Sequence, residues 1–141
     1  MKKYFVLILC LICVCFTSCG TKPSDGIDVN LSAMNSLMAT AEFQKLTASP
    51  TDYVGKTIKI SGLYDPRYSE QTKTLYHYVV LEAAAECCPH EMEFYWIGNH
   101  KYPNDYPAKQ QKIEIVGVYG PHKILGQNYY RLSIDDITVL S

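Results

Sequence analysis

Two seven-residue runs constrain the fold more than any other feature of this chain. Ile58-Lys59-Ile60-Ser61-Gly62-Leu63-Tyr64 matches Ile113-Glu114-Ile115-Val116-Gly117-Val118-Tyr119 position for position. Side chains of a strand alternate between its faces, so Ile, Ile, Gly and Tyr share one face in each run. A glycine inside such a run weakens a flat strand and marks a bend or a close backbone approach. Long strands that bend through glycine are what a small closed barrel uses to turn its corners. One motif that occurs twice is too little for a repeat architecture.

From Lys56 onward the apolar period is two, and five runs read as strands: Lys56–Tyr64, Leu75–Glu82, Met92–Gly98, Lys112–Tyr119 and Tyr129–Leu140. The last changes phase. Tyr130, Leu132 and Ile134 alternate, then Ile137 and Val139 alternate on the other parity, which predicts a bulge at Asp135-Asp136. Between the third and fourth runs, Asn99 to Gln111 holds Pro103 and Pro107 and reads as an irregular loop. Ahead of the strands the period is helical. Leu31, Met34, Met38 and Ala41 fall on one stripe with Leu37 beside it, and Phe43 and Leu46 extend the helix. Asn30 or Ser32 can cap its start, and Pro50 closes it. The expected fold is mainly β, a five-stranded OB-type Greek-key barrel preceded by an N-terminal α-helix. A generic antiparallel sandwich or half-barrel is the alternative.

The N-terminus speaks of compartment. Lys2-Lys3 precedes an apolar run from Tyr4 to Phe16, which is too short to span a bilayer but has the length of a signal-peptide core. Thr17-Ser18-Cys19 then resembles the bacterial lipobox, in which the cysteine is lipidated and becomes the new N-terminus. The alternatives are a secretory leader cut elsewhere and a short uncleaved anchor. Two acyl chains, at about 0.8 kcal/mol per buried methylene, make a stable membrane anchor. The chain therefore divides into a leader ending at the lipidated Cys19 (1–19), a polar Gly- and Pro-containing tether (20–30) and one domain (31–141) on the extracytoplasmic face. Loss of Lys2 and Lys3 lowers Lys+Arg from 13 to 11 against 14 Asp+Glu. A nearly neutral to mildly acidic chain lacks the electrostatic footprint of a nucleic-acid binder. Apolar residues make up 48% of the chain, which excludes wholesale disorder. The Cys10-x-x-Cys13 spacing lies inside the leader and carries no redox meaning.

Several motifs together resemble a known group. They are Pro50-x-x-Tyr53-x-Gly55-Lys56-Thr57-Ile58 before the first strand, Cys87-Cys88 and Glu93-Phe94 after the second, and Tyr102-Pro103-x-x-Tyr106-Pro107 before the fourth. The stretch from about residue 40 to 140 resembles the small exported OB-fold lipoproteins of Gram-positive bacteria described as tRNA anticodon-binding-like. That family has no established activity. The stretch is similar also to the extracytoplasmic part of a permease-associated family suspected of metal handling. Glu91 stands where the family pattern has glycine, and His90 is not part of that pattern.

Cys87-Cys88-Pro89-His90 is the one dense cluster of soft ligands. Thiolates and imidazole suit zinc or copper, with His77, Glu91, Glu93 or His100 able to complete a site. Adjacent cysteines fit one tetrahedral ion poorly, and a vicinal disulfide or plain hydrophobic packing are the competing readings. Tyr76 and Tyr78 share one face of the second strand, and Tyr95 lies on the third. Aromatic side chains there can form a ligand-stacking face in an OB fold. The competing reading makes Leu75, Val79, Leu81, Phe94 and Trp96 core, with the tyrosines as cover for an exposed sheet; the lack of a basic flank favours it. Gly55-Lys56-Thr57 is no P-loop, since Pro50 replaces its first glycine and a strand follows. His90-Glu91 is no zincin motif, because Phe94 occupies the second histidine position. Asp135 and Asp136 point to opposite faces and cannot work as a carboxylate pair. These residues predict a membrane-anchored binding module for a small molecule, metal ion or protein. The alternative is a thiol/redox or hydrolytic enzyme using Cys87 and Cys88.

Overall fold

A computed structural model describes residues 26–82 and 90–141. The elements are β1 (Val29–Asn30), α1 (Ser36–Ala48), β2 (Thr57–Ser69), β3 (Thr74–Val80), β4 (Glu91–Trp96), β5 (Lys112–Ile124) and β6 (Gln127–Val139). Single 3-10 turns precede and follow the helix at Leu31–Ala33 and Pro50–Tyr53. Among the described residues the fold is mainly β, a single six-stranded sheet with one α-helix, rather than two facing sheets. Five strands close into a ring of pairings, β2-β3-β4-β6-β5 and back to β2.

Strand β2 makes the closure by serving two neighbours in succession. Thr57 to Leu63 pair with β5, and Leu63 to Ser69 pair with β3. Gly62 sits at the changeover. A Cβ there would lie 2.1 Å from the Val80 carbonyl oxygen, so the strands can approach only because that atom is missing. Gly117 does the same opposite β6, where a Cβ would lie 2.6 Å from the Ser133 oxygen. The expected bulge is present: Ile115 pairs with Ile137 but Gly117 with Ile134, so β6 carries one extra residue at Asp135-Asp136. The paired Ile, Ile, Gly, Tyr faces both point inward, with Ile58, Ile60, Tyr64, Ile113, Ile115 and Tyr119 all buried. Strands β4 and β6 run parallel, while the other seams of the ring are antiparallel.

The helix departs from its predicted start and face. Asn30 does act as a cap, accepting from the Ala33 amide at 3.1 Å, but it caps the 3-10 turn. Asn35 interrupts the pattern and caps α1 itself, accepting from Met38 at 3.0 Å. The stripe Leu31, Met34, Met38, Ala41 is therefore broken. Met38 and Leu37 are exposed, and α1 buries Ala39, Phe43 and Leu46, the i, i+4, i+7 set that follows from a start at Ser36. Pro50 ends α1 as expected and opens the next 3-10 turn, whose Tyr53 hydroxyl donates to Glu42 at 2.8 Å.

The end of the stretch read as tether is docked. Val29 is buried and pairs in parallel with Ile58, while the Asp28 carboxylate accepts from the Thr57 amide at 2.8 Å. The 99–111 segment is irregular, as its prolines predict, and lays Tyr106 over the His77 ring with centroids 4.1 Å apart.

Candidate functional site

Strands β2 and β5 run well past the tyrosines of their shared motif, so their hairpins with β3 and β6 project beyond the ring. Between the two hairpins lies a concavity of about 490 Å³. Ser69, Gln71 and Thr72 form one wall, and Ile124, Leu125, Gln127 and Tyr129 form the other. Its floor is Tyr76, Tyr78 and Glu93. Tyr76 and Tyr78 share a face because β3 alternates, and the β3–β4 register sets Glu93 directly opposite Tyr78.

Glu93 is only 9% exposed, although β4 turns this face away from the core. The projecting β5–β6 hairpin covers it. Gly120 pairs with Arg131 and His122 with Tyr129, which sets His122 and Arg131 diagonally on one face of that hairpin. The His122 Nε2 lies 3.1 Å from Glu93 Oε2, and the Arg131 guanidinium lies 3.7 Å from Oε1. Burial pushes the Glu93 carboxyl up to about 7, against the pull of Arg131. Burial and then Arg131 hold His122 below the usual imidazole value. In the acid form the Glu93 carboxyl donates to His122, and above about 7 it faces Arg131 as a carboxylate.

Both arginines beside the floor are engaged. Arg131 stacks on Tyr95, 4.6 Å from the ring centre. Arg67 lies 4.9 Å from the Tyr78 centroid and is held by Asp65 and Glu91, each at 2.7 Å. These clamps fix the ring of Tyr78 in the floor and that of Tyr95 beside it.

Behind the sheet, His77 points the other way. Its Nδ1 lies 2.7 Å from the Tyr64 hydroxyl, and burial depresses its pKa to about 4. Tyr64, Phe94, Tyr102 and Tyr106 surround it, so its ring is held in an aromatic cluster. Of the expected core set, Val79, Leu81 and Phe94 are buried, while Leu75 and Trp96 are partly covered.

Cys19, Cys87 and Cys88 lie outside the described residues. His90 is described, and its ring stacks on Phe43 of α1 with centroids 5.2 Å apart. Its carbonyl accepts from the Leu81 amide at 2.8 Å, closing the root of the β3–β4 connection. That root is at the opposite end of β3 from the walls of the cleft. The fold therefore gathers Tyr76 and Tyr78 at the cleft, sets Tyr95 beside it under Arg131, and keeps His90 apart. Among the described residues no cluster of three or more His, Cys, Asp or Glu side chains could hold a metal ion. His122 and Arg131, the partners of Glu93 at the cleft floor, are the residues that the sequence reading does not find. They meet Glu93 only through strand register, and no local motif announces them. No protein-family model matches this chain, and no curated protein matches it.

Proposed function

We propose that the chain is a membrane-anchored, extracytoplasmic binding module of the OB type, without catalysis of its own, and that the cleft between its two hairpins is the binding site. The observation that carries this reading is the cleft itself: a floor of two β3 tyrosines and Glu93 of β4, walled by the β2–β3 and β5–β6 connections. In an OB fold the corresponding strands and loops form the usual ligand face. The ring order and its one parallel seam support the OB assignment. The volume falls within the range of small-ligand sites.

A thermal-shift series on the full chain tests the site, using neutral oligosaccharides, nucleotides, short peptides and zinc. A stabilising compound is expected whose effect disappears in Tyr78→Ala and survives Val116→Ala on the outer face of β5. Stabilisation by zinc that is lost in Cys88→Ser would move the site to the cysteine pair. The anchor has its own test. Cys19→Ala is expected to abolish incorporation of labelled fatty acid and release the domain from membranes; unchanged processing and retention would refute it.

A further inference from the structure

Resting on the cleft as the binding site, we propose that its ligand is an uncharged oligosaccharide, stacked on the tyrosine rings and hydrogen-bonded by the amides of the two walls. The lining decides the class. Its ten residues include three tyrosines, Tyr76, Tyr78 and Tyr129, and four neutral hydrogen-bonding side chains, Ser69, Gln71, Thr72 and Gln127. Among the described residues Glu93 is the single charged member, and no lysine or arginine lines the cavity. A sugar ring offers an apolar C–H face to an aromatic plane and a rim of hydroxyls to amide and hydroxyl partners, which is the chemistry this lining holds.

A polyanion finds the opposite. Its affinity comes from cations that neutralise phosphates or sulfates. Three nearby cations are already paired with acids: Arg67 with Asp65 and Glu91, Arg131 with Glu93, and Lys73 with Glu70 at 2.6 Å. The carboxylate on the floor would repel a further negative charge. Glu93 instead stands among the neutral donors and acceptors of Gln71, Thr72 and Gln127, a setting suited to sugar hydroxyls. The exposed ring of Tyr129 faces this floor from the hairpin wall, its hydroxyl donating to Gln127 Oε1 at 3.2 Å.

Calorimetric titration of the full chain in detergent, with cellohexaose, chitohexaose and maltohexaose beside a twelve-residue oligo-dT, a neutral hexapeptide and heparin, tests the assignment. At least one neutral hexasaccharide is expected to bind with Kd below about 1 mM, with little dependence on salt. Tyr78→Ala and Tyr129→Ala are each expected to weaken it about tenfold or more, and Leu37→Ala, on the exposed face of α1, to leave it unchanged. Tyr129 is exposed, so its variant keeps the test valid even if Tyr78→Ala fails to fold. Failure of all three sugars overturns the proposal. Binding of oligo-dT, the peptide or heparin that is lost in Tyr129→Ala would keep the cleft and discard the saccharide. Sugar binding that survives both tyrosine variants would discard the cleft itself.

Discussion

Gly62→Ala is expected to destabilise the domain by about 3 kcal/mol, at the upper end of what a single added methyl group costs. The new Cβ would stand 2.1 Å from the oxygen and 2.7 Å from the carbon of the Val80 carbonyl. Both are backbone atoms in a paired strand and cannot rotate aside. Relief requires β2 and β3 to separate where β2 changes partner, which breaks the ladder on both sides. Gly117→Ala meets the Ser133 oxygen at 2.6 Å and Ile134 Cγ2 at 2.7 Å, and the same order of loss is expected. Gly120, with nothing within 4 Å of its added Cβ, is the control: Gly120→Ala is expected to be nearly neutral. Urea unfolding of the three variants measures this. Equal midpoints for all three would mean that the seams are looser than the fold described above.

The second large effect is in pH. Burial raises Glu93 from 4.5 to about 7, so between those values the folded chain keeps a proton that the unfolded chain has released. Stability from this group falls as pH rises through that window, by on the order of 3 kcal/mol in all. His77 acts in the other direction. Burial lowers it from 6.5 to about 4, so the unfolded chain takes up a proton first, and stability falls as pH drops through that window, by a comparable 2–3 kcal/mol. His122, also lowered, adds to the His77 side. The two slopes oppose each other between about pH 4.5 and 6.5, and the wild-type chain is expected to be nearly level there. Glu93→Gln removes one side of the balance. Its stability is expected to climb steeply with pH across this interval and to match or exceed wild type at pH 8. His77→Phe keeps a ring against Tyr106 and is expected to show the reverse slope; the partner lost by Tyr64 shifts its whole curve without tilting it. Denaturant midpoints from pH 4 to 8 read both slopes: a wild-type profile as steep as that of Glu93→Gln would mean that the Glu93 carboxyl is solvated, and a level profile in Glu93→Gln that the His77 ring is.

The ring could be read in the sequence wherever a local rule decides the outcome. The twin Ile-x-Ile-x-Gly-x-Tyr faces, the phase change at Asp135-Asp136 and the proline-bearing 99–111 loop all behave as their local patterns require. The helix start was hidden because Leu31, Met34 and Met38 happen to keep a helical spacing across the cap at Asn35. The far halves of β2 and β5 were hidden by Pro66 and Pro121, which normally argue against a strand. Each proline lies in a part of its strand with a neighbour on one side only, opposite His77 and Tyr130 respectively, so no second ladder needs its missing N–H. These unread extensions are the walls of the cleft. The tyrosines of its floor were legible from alternation on one strand, whereas Glu93, His122 and Arg131 become neighbours through three strands whose register no short window encodes.

The order of closure has a kinetic side. The β2–β3 and β5–β6 hairpins each join strands across a short turn, after Ser69 and after Ile124, and can form while the rest of the chain is still loose. The two seams that complete the ring, β2 with β5 and β4 with β6, join residues as distant as Thr57 and Val118 or Phe94 and Leu132. Bringing such segments together spends chain entropy before any pairing repays it. Folding is then governed by the meeting of two hairpins, and Gly62 and Gly117 act one step earlier, each inside its own hairpin where β2 lies against β3 and β5 against β6. A side chain at either glycine hinders its hairpin before the two can meet as well as the finished ring, so these positions bear on how fast the domain closes in addition to how firmly it stays closed.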